Sequence, residues 1–216
     1  MKKNYEMDMC SGPILGKLLT FTIPLIFSGI LQLLFNAADV IVVGRFAGSQ
    51  SLAAVGSTTA LINLMINIFI GLSVGVNVIV ARYYGAKREK DVQDTIHTAM
   101  ALSIVSGLFL IIVGQLLSRP MLELMGTPDD VIDKSTIYMR IIFIGMPANM
   151  IYNFGSAILR AVGDTKRPLY FLTAAGVINV VLNLFFVIMF RMDVAGVALA
   201  TAISQAISAC LVILCL

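Results

Sequence analysis

Gln32-Leu33-Leu34-Phe35-Asn36-Ala37-Ala38-Asp39-Val40-Ile41-Val42-Val43-Gly44-Arg45 closes an apolar stretch that begins near Leu15. Asp39 is the one acidic residue of the twelve in the chain that lies well inside a hydrophobic span. An ionised carboxylate in hydrocarbon costs several kcal/mol, so such a residue faces a protein interior or a wet cavity. Ser28, Gln32 and Asn36 precede Asp39 at spacings of four, four and three, which places all four on one helical face. The first three alone are explained by an interhelical hydrogen-bond seam. The added carboxylate shifts the balance toward a solvated cavity.

The rest of the chain has the composition such a residue implies. Of 216 residues, 59% are hydrophobic and 12% charged, whereas soluble domains run near about 45–50% apolar and about 25% charged. Uncharged runs cover 18–38, 46–81, 98–118, 141–159, 168–190 and 194–216. A spanning helix needs about 20 mostly apolar residues, and every run is near or above that length. The fold class is therefore an all-α polytopic membrane protein with six transmembrane helices, over approximately 14–43, 52–84, 89–117, 131–159, 168–190 and 194–216.

Residues 1–13 form a polar lead with no signal-peptide pattern. With the N-terminus inside, the inner segments hold Lys2, Lys3, Lys17, Arg82, Lys87, Arg88, Lys90, Arg160, Lys166 and Arg167. The outer ones hold Arg45, Arg119, Lys134, Arg140 and Arg191. This excess follows the positive-inside rule and predicts a multi-pass protein of the cell membrane with a cytoplasmic N-terminus. The net charge of +3 is spread among short loops, so it does not indicate nucleic acid. Cys10, Cys210 and Cys215 make no Cys-x-x-Cys, which gives no ground for a disulfide or a metal centre.

Two prolines interrupt apolar helices, Pro24 in the first and Pro147 in the fourth. Each removes a backbone hydrogen bond, so Pro24 is the candidate hinge of helix 1. The second helix is too long for the hydrocarbon and must tilt or protrude. Its Asn63 lies on one face with Thr59 and Asn67; in helix 4, Asn149, Asn153 and Ser156 do the same. Gly107 and Gly114 are packing sites in helix 3. Between helices 3 and 4, Thr127-Pro128-Asp129-Asp130 reads as a turn and N-cap. With Gln32, Asn36 and Gln205, the amides Asn63, Asn149 and Asn153 are the candidate cavity-lining residues.

Depth brings four further side chains together. Asp39 lies six residues inside Arg45, Asn183 eight residues inside Arg191, and Thr201 eight residues beyond Asp193, with Asn179 one turn deeper. A carboxylate, two amide oxygens and a hydroxyl are hard donors that suit a small hard cation such as Na+. They could equally serve a proton, carried on Asp39 as the neutral acid. Taken alone, the asparagines are explained by cross-helix hydrogen bonds worth about 0.6–2 kcal/mol each. No Gly-x-x-x-x-Gly-Lys loop, His-Glu-x-x-His, cysteine cluster or nucleophile–base pair is present, so neither ATP hydrolysis nor another enzyme activity is indicated. No cofactor is called for; the energy for any transport must come from an ion gradient.

Several short stretches match one family in order and spacing. They are Pro24, Asp39-Val40-Ile41-Val42-Val43-Gly44, Ala53-Ala54, Gly85, Leu159-Arg160-Ala161-Val162-Gly163-Asp164-Thr165-Lys166, Asn179-x-x-x-Asn183 and Ala200-Thr201-x-Ile203-Ser204-Gln205. Through them nearly the whole chain resembles the N-terminal lobe of the multidrug and toxic compound extrusion (MATE) transporters. The resemblance implies a V-shaped transporter of two six-helix lobes that exports bulky organic cations in exchange for Na+ or H+. It also implies that Asp39, Asn179, Asn183 and Thr201 are the ion-coupling residues, the place where Na+ would bind. Some members carry Asp where this chain has Asn183, so one carboxylate fewer leaves the proton a serious rival to Na+. Members are roughly twice this length, which implies a missing C-terminal six-helix lobe as partner and a truncated chain. A lipid-linked oligosaccharide flippase of the same superfamily and a non-transporting membrane scaffold are the alternatives. The flippase would need several cations in its cavity to hold pyrophosphate, and Arg140 is the only candidate.

Overall fold

Apolar runs of this length, free of internal charge, can satisfy their backbone in lipid only as helices. The computed structural model of the chain, which describes residues 14–216, is accordingly helical, with no strand among the described residues. The expected cytoplasmic lead, with Lys2, Lys3 and Cys10, lies outside those residues. The helices are α1 (Ile14–Val42), α2 (Ser49–Gly85), α3 (Glu89–Leu124), α4 (Asp129–Ile144), α5 (Met146–Ala161), α6 (Lys166–Leu184) and α7 (Asp193–Ile213). Five spans are long and apolar enough to cross a membrane by themselves, and α4 with α5 forms a sixth, bent by 47°.

The ends of these helices differ from expectation in four places. The outer turn expected after helix 1 is almost absent. A π-helical turn, Val43–Ala47, prolongs α1, and Gly48, at φ +87°, is the sole break before α2. Helix 3 does not stop at 117 but continues through Pro120 to Leu124, because Arg119 finds Glu123 and Asp133 at 3.0 and 3.1 Å instead of ending the helix. Helix 4 is not one helix over 131–159. It breaks at Gly145, with Pro147 in the first turn of α5, where a missing N–H costs no helical hydrogen bond. The last helix ends its regular ladder at Ile213 rather than 216. A second π turn, Phe185–Met189, prolongs α6. α1 passes Pro24 without interruption, and Ser28 Oγ bonds the Pro24 carbonyl at 2.8 Å.

The core lies where α3, α4 and α5 meet α2 and α7, around Leu110, Phe143, Met146, Met150 and Phe154, all fully buried. Small residues let these helices close up. A Cβ at Gly107 would collide with the Pro147 backbone, and one at Gly114 with the stem of Phe143. At the start of α6, Asp164, 1% exposed, accepts the Lys166 and Arg167 amides at 3.1 Å each. Of α1, the buried core takes in Val42 at its end. The helix packs chiefly on α6, and α6 in turn on α7.

Candidate functional site

The closeness of α1 and α6 is set by Gly176. A Cβ there would occupy the space of the Phe35 ring, so the bare backbone admits that ring. One turn along α1 from Phe35 comes Asp39, and two turns along α6 from Gly176 comes Asn183. These two side chains meet: Asn183 Nδ2 donates to Asp39 Oδ1. The same amide nitrogen donates to Asn179 Oδ1 at 3.1 Å, and Asn179 Nδ2 donates to Thr201 Oγ1 at 3.2 Å. The four residues matched by depth along the sequence thus form one hydrogen-bonded chain through α1, α6 and α7.

Its burial is uneven. Asn183 is 0% and Asn179 5% exposed, while Asp39 and Thr201 are half-buried. Asp39 and Thr201 both open onto a cavity of about 110 Å³ between α1, α5, α6 and α7. Gln32, Asn36, Asn149 and Gln205 line it as expected, joined by Tyr152, Ser204 and Ser208. Asn63 and Asn153 do not. Asn63 is on the exposed face of α2, and its carbonyl takes the Asn67 amide at 2.7 Å. Asn153 spends its amide on the carbonyl and Oδ1 of Asn149, both at 2.9 Å. Helix 2, expected to share in the cavity, contributes nothing to its lining.

Among the described residues, Asp39 is the only charged side chain on that lining. Arg140 is not part of it. A cavity with one negative charge and a wall of amides and hydroxyls attracts cations and offers an anion no charged partner. Asn183 Oδ1 is buried and accepts no hydrogen bond among the described residues. Such an orphaned acceptor calls for an explanation; it would meet a cation beside Asp39 if the amide turned. No three His, Cys, Asp or Glu side chains gather among the described residues, so a cation held here would rely on the oxygens of Asp39, Asn179, Asn183 and Thr201.

One contributor was not legible as a site residue: Gly176 has no polar group to draw attention to it.

The family model MatE matches residues 24–185. "Probable multidrug resistance protein YoeA" of Bacillus subtilis (strain 168) is 35% identical over 188 residues, covering 85% of this chain and 41% of that protein. A crystal structure of MATE in the bent conformation superposes with a TM-score of 0.85 at 26% identity, over 91% of this chain and 44% of its own. Another, in the straight conformation, gives 0.84 at 26% over 91% and 43%. The chain spans less than half the length of these relatives.

Proposed function

The chain belongs to the MatE family, a family of transporters with six-helix lobes, and on that premise we propose that it forms one lobe of a secondary antiporter exporting bulky organic cations in exchange for Na+ or H+. The observation that carries this is the lone carboxylate of Asp39, which sits on the wall of a polar cavity and is tied by the amides of Asn183 and Asn179 to Thr201. A cation substrate and a coupling ion both seek that charge. When Asp39 takes up Na+ or a proton the lining becomes neutral and holds an organic cation less well. Two ligands that favour opposite states of one site are what exchange requires.

The same charge distribution argues against the lipid-linked oligosaccharide reading, since no cationic side chain among the described residues lines the cavity to hold pyrophosphate. Pro24 in α1 is our candidate hinge. The bent and straight forms of similar structures support a moving element in this fold. Alternating access needs two units that rock against each other, so the partner we propose is a second six-helix lobe, in the cell membrane, with the N-terminus cytoplasmic and lipid around the outer faces. No step of this cycle is catalytic. In the chain joined to a second lobe, Asp39→Asn keeps shape and insertion but removes the charge; ion-driven efflux of an organic cation dye should vanish. Efflux at the wild-type rate would refute the assignment.

A further inference from the structure

Above the cavity, at the outer end of the bundle, Lys134 of α4 joins three helices. Its Nζ lies 2.7 Å from Asp193 Oδ2 and donates to Ser51 Oγ at 3.1 Å. The charged side chains are only 35% and 33% exposed, and Ser51 is fully buried at the start of α2. Asp193 is the first residue of α7, and it holds a backbone φ of +55°, a region that residues with a Cβ rarely adopt. Arg191, two residues earlier, is at +52°. The chain therefore enters α7 through a constrained corner, and the ion pair is what grips it. Beside the clamp, Ser57 and Ser135 bond across α2 and α4 at 3.1 Å.

One gripped helix leads straight to the ion site. Thr201 follows Asp193 by eight residues along α7, about 12 Å, and accepts the Asn179 amide. α1 and α6, which carry Asp39 and the two asparagines, are outside the clamp. We propose that Lys134 is a positioning residue: through Asp193 it holds α7 at the height where Thr201 completes the Asp39 site, although it touches neither ion nor substrate. This rests on the reading of Asp39 as the ion-binding group.

The test uses the 216-residue chain in nanodiscs, measuring its unfolding temperature against NaCl (choline chloride balancing ionic strength) and, in a second series, against pH. The part of the response that Asp39→Asn removes defines the half-saturating Na+ or proton concentration. Lys134→Met and Asp193→Gly should each raise that concentration about tenfold, the usual range for groups that orient ion ligands from outside the site. Glycine accepts the positive φ, so Asp193→Gly retains the fold if Lys134→Met does not. The two variants change net charge in opposite directions. Direct electrostatics would therefore move the half-point oppositely, whereas loss of position weakens binding in both. Lys134→Arg should restore it to within about twofold. Lower unfolding temperatures with an unchanged half-point, or opposite shifts, overturn the proposal while leaving the Asp39 assignment standing. A wild-type response that Asp39→Asn does not diminish overturns the assignment itself.

Discussion

Asn183 presents an N–H, not an oxygen, to Asp39, and leaves its own Oδ1 buried without a partner. To serve as a cation ligand the amide must turn, exchanging a donor for an acceptor at the carboxylate. Asn183→Asp removes that obstacle, since both of its terminal atoms are oxygens and the site gains a second negative charge. The variant should bind Na+ about tenfold more tightly, or ~1.4 kcal/mol, read as a lower half-saturating Na+ in thermal unfolding. Unchanged or weaker Na+ binding would mean that the pocket around Asp39 is not built for a metal cation and that the proton is the coupling ion. Thr201 needs no such substitution, because a hydroxyl donates or accepts as the occupant requires.

At the scale of helices, two glycines show how close packing can have different consequences. A Cβ at Gly107 meets Pro147 backbone, which cannot move without reshaping the junction of α4 and α5. Gly107→Ala should therefore destabilise the chain by about 1–3 kcal/mol, seen as a lower unfolding temperature, without moving the half-saturating ion concentration. A Cβ at Gly176 first meets the ring of Phe35, a side chain that can swing aside at smaller loss of stability. That ring lines the cavity one turn before Asp39, however, so Gly176→Ala should alter ion binding more than stability. If the two variants behaved alike, the packing of α1 on α6 would not be what brings Asp39 to Asn183. These contacts also mark the limit of what could be read in advance. Six spans and the common depth of Asp39, Asn179, Asn183 and Thr201 follow from where charges and amides fall in apolar runs. The π turns and the break at Gly145 do not, because hydropathy is blind to a backbone ladder that slips by one residue. Proline was an uneven guide: Pro24 sits inside an unbroken helix and Pro120 inside another, whereas Pro128 caps α4 as expected and Pro147 adjoins the break at Gly145. Asn63 and Asn153 failed as cavity residues because helical periodicity gives a shared face, not the neighbour that face meets.

For the molecule as a whole, the isolated six-helix unit leaves amides where lipid cannot satisfy them. Gln32 and Asn36 on α1, and Asn63 and Asn67 on α2, are exposed among apolar neighbours such as Leu33 and Leu64. α1 rests on α6, whereas α2 rests on α3, α4 and α5, so these amides belong to two separately supported walls. A polar group facing hydrocarbon costs several kcal/mol, which requires either water between the walls or a protein partner across them. A second lobe supplies both, a covered face and a wet cleft. In vesicles carrying a Na+ or proton gradient, this chain alone should bind the coupling ion at Asp39 yet move no dye. Supplying a second six-helix lobe as a separate polypeptide should start efflux, and Asp39→Asn in this chain should stop it again. Dye movement by the single chain, at a rate the added lobe does not increase, would show that one lobe suffices and that the two-unit mechanism is wrong.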